Sequence, residues 1–288
     1  MTRSARMREW EAVAIRDLQA RWDLPGLVIV SETTSTNDVA RRMARHGAPA
    51  GLLVMAEHQS AGRGRLKRSW TDAPGRSLLT SVVLRPSSSS GPAPGTVPLR
   101  VGMAVASALR SAAGIKVQLK WPNDIVEGGA KLAGILCEAV STGGESVIIA
   151  GVGVNVLQSS DEWPAELRGL ATSVADVAER QGSRRVVDRL TIMDAIVAAL
   201  RPLFTRPLEP LRTDELRAFA TMDALRGLHV TAGTTGLAAG ESTAAGQVRG
   251  VASGIAADGA LLIESDGSLR RVTSATVRRT GLHSHPVP

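Results

Sequence analysis

Aromatic residues and cysteine are scarce in this sequence of 288 residues, which has no Tyr, two Phe and one Cys. A core of this composition has to be built mainly from Leu, Val, Ile and Ala, and the apolar fraction of 43% is large enough for one. The single Cys excludes an internal disulfide and fits a reducing compartment, so we expect a cytoplasmic protein.

Long apolar runs are absent as well. No stretch reaches the ~18 residues that a membrane-spanning helix needs. The basic N-terminal sequence MTRSARMREWEAV lacks the apolar segment of a signal peptide. The sequence therefore predicts no membrane partner.

Basic residues exceed acidic ones, with 34 Lys and Arg against 27 Asp and Glu and a net charge of +7. The Arg residues are scattered among acids rather than gathered in runs, which is typical of a solvated surface. Attraction to an acidic partner, either a polyphosphate or a protein, is the alternative interpretation.

The apolar pattern divides the chain into three parts. Residues 1–26 are expected to form a helical extension. Residues 27–227 mix strands and helices without regular alternation, which favours an α+β domain with a mixed or mostly antiparallel sheet. Residues 228–288 contain Asp258-Gly259 and Asp266-Gly267, which indicate tight hairpins in a small all-β domain. Within the larger part we predict a helix that begins after Ser35, helices over 98–113, 172–181, 186–200 and 212–220, and strands over 27–29, 52–56, 78–84, 117–121, 133–140 and 147–156.

A segment rich in glycine and arginine, Gln59-Ser-Ala-Gly-Arg-Gly-Arg65, gives the densest signal for a site. Its glycines allow close approach of the backbone to a ligand, and the N–H groups of such a loop can bind anions. Arg63, Arg65 and Arg68 add guanidinium groups that suit carboxylate and phosphate oxygens. A solvated basic loop is the alternative, and the spacing of a phosphate-binding P-loop is missing.

A second signal joins Lys120-Trp-Pro-Asn-Asp124 to Lys131-Leu-Ala-Gly-Ile135. The Asn amide can bind a base or a ribose, and the Asp carboxylate can hold Mg²⁺ through water. Lys131 precedes an apolar run, where an ammonium needs an anionic partner such as a substrate carboxylate or phosphate. A simple turn at Asn123 and Asp124 is the alternative.

A third signal is Gly151-Val-Gly-Val-Asn155, which interrupts an apolar strand. Glycine inside a strand often marks close approach by a ligand, and tight packing of neighbouring strands is the alternative. Cys137 also lies in an apolar run, where we expect a small buried side chain rather than a nucleophile.

Taken in order, five motifs of this chain resemble those of the biotin–protein ligases. A single motif would carry little weight, but five in register are specific to that family. Weaker similarity extends the resemblance from about residue 30 to the end. The five motifs are Ser35-Thr-Asn37, Gln59-x-Ala-Gly-Arg-Gly-Arg65, Lys120-Trp-Pro-Asn-Asp124, Lys131-Leu-Ala-Gly-Ile135 and Gly151-x-Gly-x-Asn155.

The resemblance implies a fold and an activity. Residues 27–227 would form a catalytic domain similar to class II aminoacyl-tRNA synthetases, and residues 228–288 would form an SH3-like barrel. The enzyme would use MgATP to convert biotin into biotinyl-adenylate and would transfer biotin to a lysine of a biotin carboxyl carrier domain. We also expect a monofunctional ligase that does not bind operator DNA, because about 26 residues before the first strand are too few for a DNA-binding domain.

The resemblance also assigns roles to residues. Lys131 and Arg65 would be catalytic, and Asp124 is a candidate carboxylate for Mg²⁺. The biotin side would comprise Ser35, Thr36, Asn37, Gln59, Gly62, Arg63, Gly64, Arg65, Lys131, Gly134 and Gly151, with the last two glycines giving room for the bicyclic ring. The ATP and adenylate side would comprise Arg65, Arg68, Trp70, Asn123, Asp124, Lys131 and Asn155.

Two departures from the family pattern leave details open. Lys67 stands where many members have glycine, which leaves the path of the loop undetermined. Ala275-Thr276-Val277 replaces an expected Gly-Asp-Val, which leaves the role of the last strand undetermined. A lipoate–protein ligase is the nearest alternative, but its consecutive glycines leading to a histidine are absent. A nucleic-acid-binding module and a biotin sensor without transfer activity are the others.

Overall fold

The chain folds around two β-sheets, which a computed structural model describes over residues 14–87, 94–142, 145–234 and 247–280. The strands of the larger sheet are β1 (Leu27–Thr33), β2 (Leu53–Gln59), β3 (Ser77–Leu84), β4 (Gln118–Lys120), β5 (Asp124–Glu127), β6 (Ala130–Thr142) and β7 (Glu145–Asn155). Those of the smaller sheet are β8 (His229–Thr234), β9 (Gln247–Ile255), β10 (Leu261–Ser265), β11 (Ser268–Val272) and β12 (Ala275–Arg279).

The larger sheet is mixed, with the order β1-β2-β3-β7-β6-β5-β4. Strands β1 and β2 are parallel, because a helix crosses over between them. The other neighbouring strands pair antiparallel. The α+β class and the mixed sheet predicted from the sequence are confirmed.

Helices cover both faces of this sheet. The described helices are α1 (Ile15–Arg21), α2 (Thr36–Arg45), α3 (Thr96–Ala113), α4 (Val174–Arg180), α5 (Arg189–Leu200) and α6 (Thr213–Ala220). Alternate residues of a strand point to opposite faces, so Val147 and Ile149 pack with α2 while Ile148 and Ala150 join the core under α3 and α5. None of the helices in the described ranges has the length and apolar content needed to cross a bilayer.

The smaller sheet is antiparallel, with the order β11-β10-β9-β8-β12. Asp266 and Gly267 both have positive φ, 50° and 72°, which is the two-residue hairpin turn that Asp-Gly favours. The other Asp-Gly pair lies between β9 and β10. Both predicted hairpins are therefore confirmed.

The two sheets are in direct contact beside Trp121. Its indole Nε1 donates to the carbonyl of Gly259 at 2.8 Å, and the amide of Leu211 donates to the carbonyl of Ala257 at 2.6 Å. A Cβ built on Gly259 would lie 2.8 Å from the carbonyl oxygen of Gly95, so a side chain would force the two segments apart. This contact brings β12 toward the α2 face of the larger sheet.

The structure differs from the sequence prediction at β5. A simple turn over Asn123 and Asp124 is wrong for Asp124, which begins β5 and pairs with Gly134 of β6. This strand has four residues before Gly128-Gly129, too few for an apolar pattern to reveal. Residues 1–13 lie outside the described residues, and the domain boundaries at 26 and 227 stay predictions.

Candidate active site

A cavity of about 380 Å³ lies on the α2 face of the larger sheet. Its walls come from the start of α2, the segment after β2, strands β5, β6 and β7, and strand β12 of the smaller sheet. Of the sixteen residues singled out in the sequence, fifteen line it: Ser35, Thr36, Asn37, Gln59, Arg63, Gly64, Arg65, Arg68, Trp70, Asn123, Asp124, Lys131, Gly134, Gly151 and Asn155. Gly62 is the exception, and its carbonyl instead accepts from the amide of Trp70 at 2.9 Å, which closes the loop.

One side of the cavity, here named the amide wall, consists of Thr36, Asn37 and Gln59. The Thr36 amide and hydroxyl both donate to Gln59 Oε1, at 2.8 and 3.1 Å. Asn37 Nδ2 donates to Glu138 Oε2 at 2.6 Å. Behind them, the buried Ser81 hydroxyl lies 2.7 Å from Thr36 Oγ1 and 2.6 Å from Asn37 Oδ1. The amide wall is thus uncharged, and its polar groups hold one another in place.

Gly151 and Gly153 lie two residues apart on β7 and point to the same face of the sheet. A Cβ on Gly151 would lie 2.4 Å from Asn37 Oδ1, and a Cβ on Gly153 would lie 2.8 Å from the Trp70 ring. These glycines therefore admit two of the protein's own side chains. The space directly over Gly151, predicted to admit a bicyclic ring, is taken by the Asn37 amide.

The arginine of the loop that lies nearest to α2 is already paired. Arg63 makes two hydrogen bonds to Asp38 of α2, at 2.6 and 2.7 Å. Arg41 bridges Asp38 at 2.8 Å and Glu138 of β6 at 2.6 Å, and Arg63 lies 3.6 Å from Glu138. We name these four residues the Asp38 cluster. It contains two cations and two anions, so its charges balance.

The rest of the loop contacts the smaller sheet. Arg65 donates to the Ser274 hydroxyl at 2.9 Å and lies 3.4 Å from Asn123 Oδ1, while Arg68 lies 3.5 Å from the Thr276 hydroxyl. Between them, Leu66 has φ 56° and ψ 38°, a left-handed conformation that costs a non-glycine residue about 1–2 kcal/mol. The positive φ thus falls at Leu66, next to the position where the sequence lacks the expected glycine.

The opposite side of the cavity, here named the cationic wall, consists of Arg65, Arg68, Lys120 and Lys131. Lys131 Nζ lies 2.8 Å from Asp124 Oδ1 and 5.6 Å from the centre of the Trp70 ring. Burial lowers the pKa of Arg65 and that of Lys120, with Asp124 acting in the opposite direction in both cases. Four cations surrounding one close carboxylate make this wall a binding site for an anion.

Two polar groups near the cationic wall have no partner within the described residues. The buried Nε1 of Trp70 and the Oδ1 of Asn155 make no hydrogen bond, although Asn155 Nδ2 donates to the Thr172 carbonyl at 3.1 Å. A buried polar atom without a partner carries a desolvation cost that a ligand or a water can relieve. One donor and one acceptor are thus available beside the cations.

Comparison with known proteins agrees with this geometry. Residues 29–155 match the Biotin/lipoate A/B protein ligase family, and residues 242–278 match the Biotin protein ligase C terminal domain. A bifunctional ligase/repressor from Bacillus spizizenii is 33% identical over 253 residues, which span 87% of this chain and 73% of the relative. The chain belongs to the biotin protein ligase family.

Other members and their structures support the same grouping. The biotin–[acetyl-CoA-carboxylase] ligase of Mycobacterium tuberculosis is 36% identical over 169 residues, 57% of this chain and 60% of the relative. The biotin protein ligase of Aquifex aeolicus, solved with biotin and ATP, has a TM-score of 0.69 and 24% identity, and the match covers 89% of this chain and 100% of that one. The second likeness shows a shared fold.

Sequence reasoning missed several residues of this biotin protein ligase site. Ser81 looks like an ordinary strand residue, and only the pairing of β3 with β7 sets it opposite Gly151. Asp38 and Glu138 are a hundred residues apart in the chain, and α2 packing on β6 brings them together. Lys120 lies inside a recognised motif, where its alternation with Asp124 across the β4–β5 hairpin is the signal that identifies it.

The cavity wall also includes parts of the chain for which no role is predicted. Trp163 and Glu166 line it from the segment after β7, and residues 275–278 line it from β12. The Ala275-Thr276-Val277 departure therefore forms a regular strand that borders the site. Cys137 is half-buried beside the core, and burial raises the pKa of its thiol to about 12, as expected for a thiol that is not a nucleophile.

Proposed function

We propose that this chain activates biotin with MgATP, forming biotinyl-adenylate and pyrophosphate, and then transfers the biotinyl group to a lysine of a biotin carboxyl carrier domain. The observation that carries the proposal is one cavity with an uncharged amide wall facing a cationic wall. Biotin has an uncharged polar ureido ring at one end and a carboxylate at the other. The names of the relatives and of the solved structures support the same reaction.

In the first step, an oxygen of the biotin carboxylate attacks the α-phosphorus of ATP, and the bond to the pyrophosphate oxygen breaks. Two anions have to meet, so cations are needed both to bind them and to stabilise the charge that develops on phosphorus. Lys131 is the cation best suited to this work, because its ammonium lies at the cavity wall, paired only with Asp124 at 2.8 Å. Arg65 would act beside it.

In the second step, the uncharged amine of the acceptor lysine attacks the carbonyl carbon of the mixed anhydride, and AMP leaves. The same carbon is open to attack by water, so the loop over residues 62–70 has a protective role. Its contacts to α2 through Arg63 and to the smaller sheet through Arg65 are suited to excluding water.

On the biotin side, the ureido ring needs both donors and acceptors. Asn37 and Gln59 each carry an amide, and Ser35 and Thr36 each carry a hydroxyl, all at the cavity wall. On the ATP side, Trp70, Asn123 and Asn155 would contact the nucleotide. Because part of the amide wall is engaged in internal hydrogen bonds, biotin would exchange some of these bonds for its own.

Mg²⁺ enters this scheme with ATP as part of the substrate. The described residues contain no cluster of three or more His, Cys, Asp and Glu side chains that would hold a metal by themselves. One carboxylate together with substrate phosphates is a usual environment for Mg²⁺, and Asp124 would be that carboxylate. A cytoplasmic location accords with this use of ATP.

The finer fold assignment is also part of the proposal. The larger sheet would correspond to a catalytic domain similar to class II aminoacyl-tRNA synthetases, and the five antiparallel strands of the smaller sheet to an SH3-like barrel. The absence of operator-DNA binding stays a prediction, and a gel-shift titration with operator DNA tests it.

The decisive experiment measures pyrophosphate release from MgATP with biotin, and in parallel with lipoate, followed by transfer of labelled biotin to a carrier domain. Biotin-specific release with transfer is the expected result. Release with lipoate alone would assign the chain to lipoate activation, and release with biotin but without transfer would leave only the first step. No release with either substrate would refute the enzymatic proposal.

A further inference from the structure

The Asp38 cluster connects three parts of the chain that are remote in sequence. Asp38 and Arg41 belong to α2, Glu138 belongs to β6, and Arg63 belongs to the loop. The two hydrogen bonds between Arg63 and Asp38, at 2.6 and 2.7 Å, have the parallel geometry that fixes both position and orientation of a guanidinium. The cluster therefore holds the first arginine of the loop against a helix.

This helix also carries part of the amide wall. Thr36 and Asn37 lie in its first turn, and Asn37 donates to Glu138, the second carboxylate of the cluster, at 2.6 Å. The position of the loop is thus tied, through two carboxylates, to the side chains at the opposite end of the cavity. A loop that was held only by the smaller sheet would lack this connection.

We propose that Asp38 is a positioning residue, which acts through Arg63 to order the loop over the cavity before any substrate binds. The inference rests on the proposed function for its consequence, because a pre-ordered loop retains the adenylate. Arg63 holds the pKa of Asp38 below its ordinary value, so the pair is ionised at neutral pH without help from a ligand.

The first test needs no enzymatic activity. Trypsin is added to the unliganded protein, and cleavage at the basic residues of segment 63–68 is followed by fragment mass. Asp38→Asn removes the charge and one acceptor, and we expect cleavage of this segment to become roughly three- to fivefold faster, the size expected for loss of a partly exposed ion pair. Asp38→Glu keeps the charge and should restore part of the protection.

The matched control is Glu145→Gln, which removes the carboxylate of the Arg85–Glu145 ion pair at 2.9 Å, away from the cavity. Its cleavage rate at segment 63–68 should equal that of the wild type. Thermal unfolding of all variants shows whether faster cleavage reflects the loop or the whole fold. Equal loop cleavage in Asp38→Asn and wild type would overturn the proposal.

A double-mutant cycle separates a positioning role from a general structural one. If Asp38 acts through Arg63, Asp38→Asn should add nothing to cleavage in an Arg63→Gln background. An unchanged effect of Asp38→Asn in that background would mean that Asp38 acts through Arg41 or the helix, and the proposal would be wrong.

The second test measures the consequence. With biotin and MgATP but no acceptor, AMP accumulates as adenylate escapes and hydrolyses, and we expect roughly three- to fivefold more AMP from Asp38→Asn at an unchanged rate of adenylate formation. A slower release of AMP would mean that the pair restrains the loop, and would refute the retention role. If wild type formed no adenylate, the proposed function would fail while the cleavage result still decided whether Asp38 orders the loop.

Discussion

The amide wall and the cationic wall face each other across one cavity, yet they are built in opposite ways. The side chains of the amide wall have partners within the protein, and Thr36 and Asn37 are 4% and 3% exposed. The cationic wall has four cations, one close carboxylate and, for Lys131, a side chain that is 39% exposed. One wall is complete without a ligand, and the other lacks the negative charge that would complete it. Substrate shape is therefore read by the first wall and substrate charge by the second.

The largest expected effect comes from removing charge from the cationic wall. Lys131→Met keeps the length of the side chain and should lower the rate of biotin-dependent pyrophosphate release by about 10²–10³-fold, the usual size for loss of one preorganised charge-stabilising group. The fold should persist, because the Lys131 side chain is partly exposed. Wild-type pyrophosphate release from this variant would remove Lys131 from the mechanism.

A pair of glycine substitutions separates the two walls. Gly151→Ala would bring a Cβ to 2.4 Å from Asn37 Oδ1, and Gly153→Ala would bring one to 2.8 Å from the Trp70 ring. Overpacking of this kind costs about 1–3 kcal/mol. The first variant should raise the KM for biotin roughly tenfold with little change for ATP, and the second should do the reverse. Each serves as the control for the other, and equal effects on both substrates would end the distinction between the walls.

A smaller effect is expected behind the amide wall. Ser81→Ala removes the buried hydroxyl that contacts Thr36 and Asn37, and leaving such groups unpaired costs about 1–3 kcal/mol of the free energy of unfolding. The KM for biotin should rise as well. Ser77→Ala is the matched control, since Ser77 lies on the same strand and accepts from Gln158 at 2.6 Å. It should lose similar stability in a denaturant titration while biotin kinetics stay unchanged.

The smallest effect is a shift in pH dependence. Burial lowers the pKa of Lys120, so its ammonium is lost at a lower pH than that of an ordinary lysine, and ATP binding should weaken as the pH rises through this lowered value. Lys120→Arg keeps its charge and should move the weakening to higher pH. The KM for ATP, measured from neutral to alkaline pH, checks this. Lys116→Arg, at an exposed site, should leave the profile unchanged.

The contrast between the walls also explains what the sequence could predict. The residues that the motifs identify, Arg65, Lys131 and Gly151, are of types that need a reason to stand where they do, a charge in an apolar run or a glycine in a strand. Ser81 and Asp38 need no such reason, because a serine in a strand and an aspartate in the first turn of a helix are ordinary. Their importance arises from strand register and helix packing, which depend on the whole sheet.

The same limit applies to the fold. The long helix α3 and strand β7 follow from apolar spacing, and the Asp266-Gly267 turn follows from the conformations those two residues favour. Strand β5 exists because β4 and β6 offer it hydrogen bonds on both edges, which its own four residues do not reveal. The approach of β12 to the cavity depends on the contact at Trp121 and Gly259, between segments far apart in the chain.

The scarcity of aromatic residues has a practical consequence. With no Tyr in the chain, ultraviolet emission comes from five Trp residues alone, and two of these, Trp70 and Trp163, line the cavity. The indole of Trp70 lies against Gly153 and near the ammonium of Lys131, so its surroundings change whenever that ammonium acquires a new partner. The unlabelled protein thus carries its own optical reporter, with which each binding step can be timed by stopped-flow mixing.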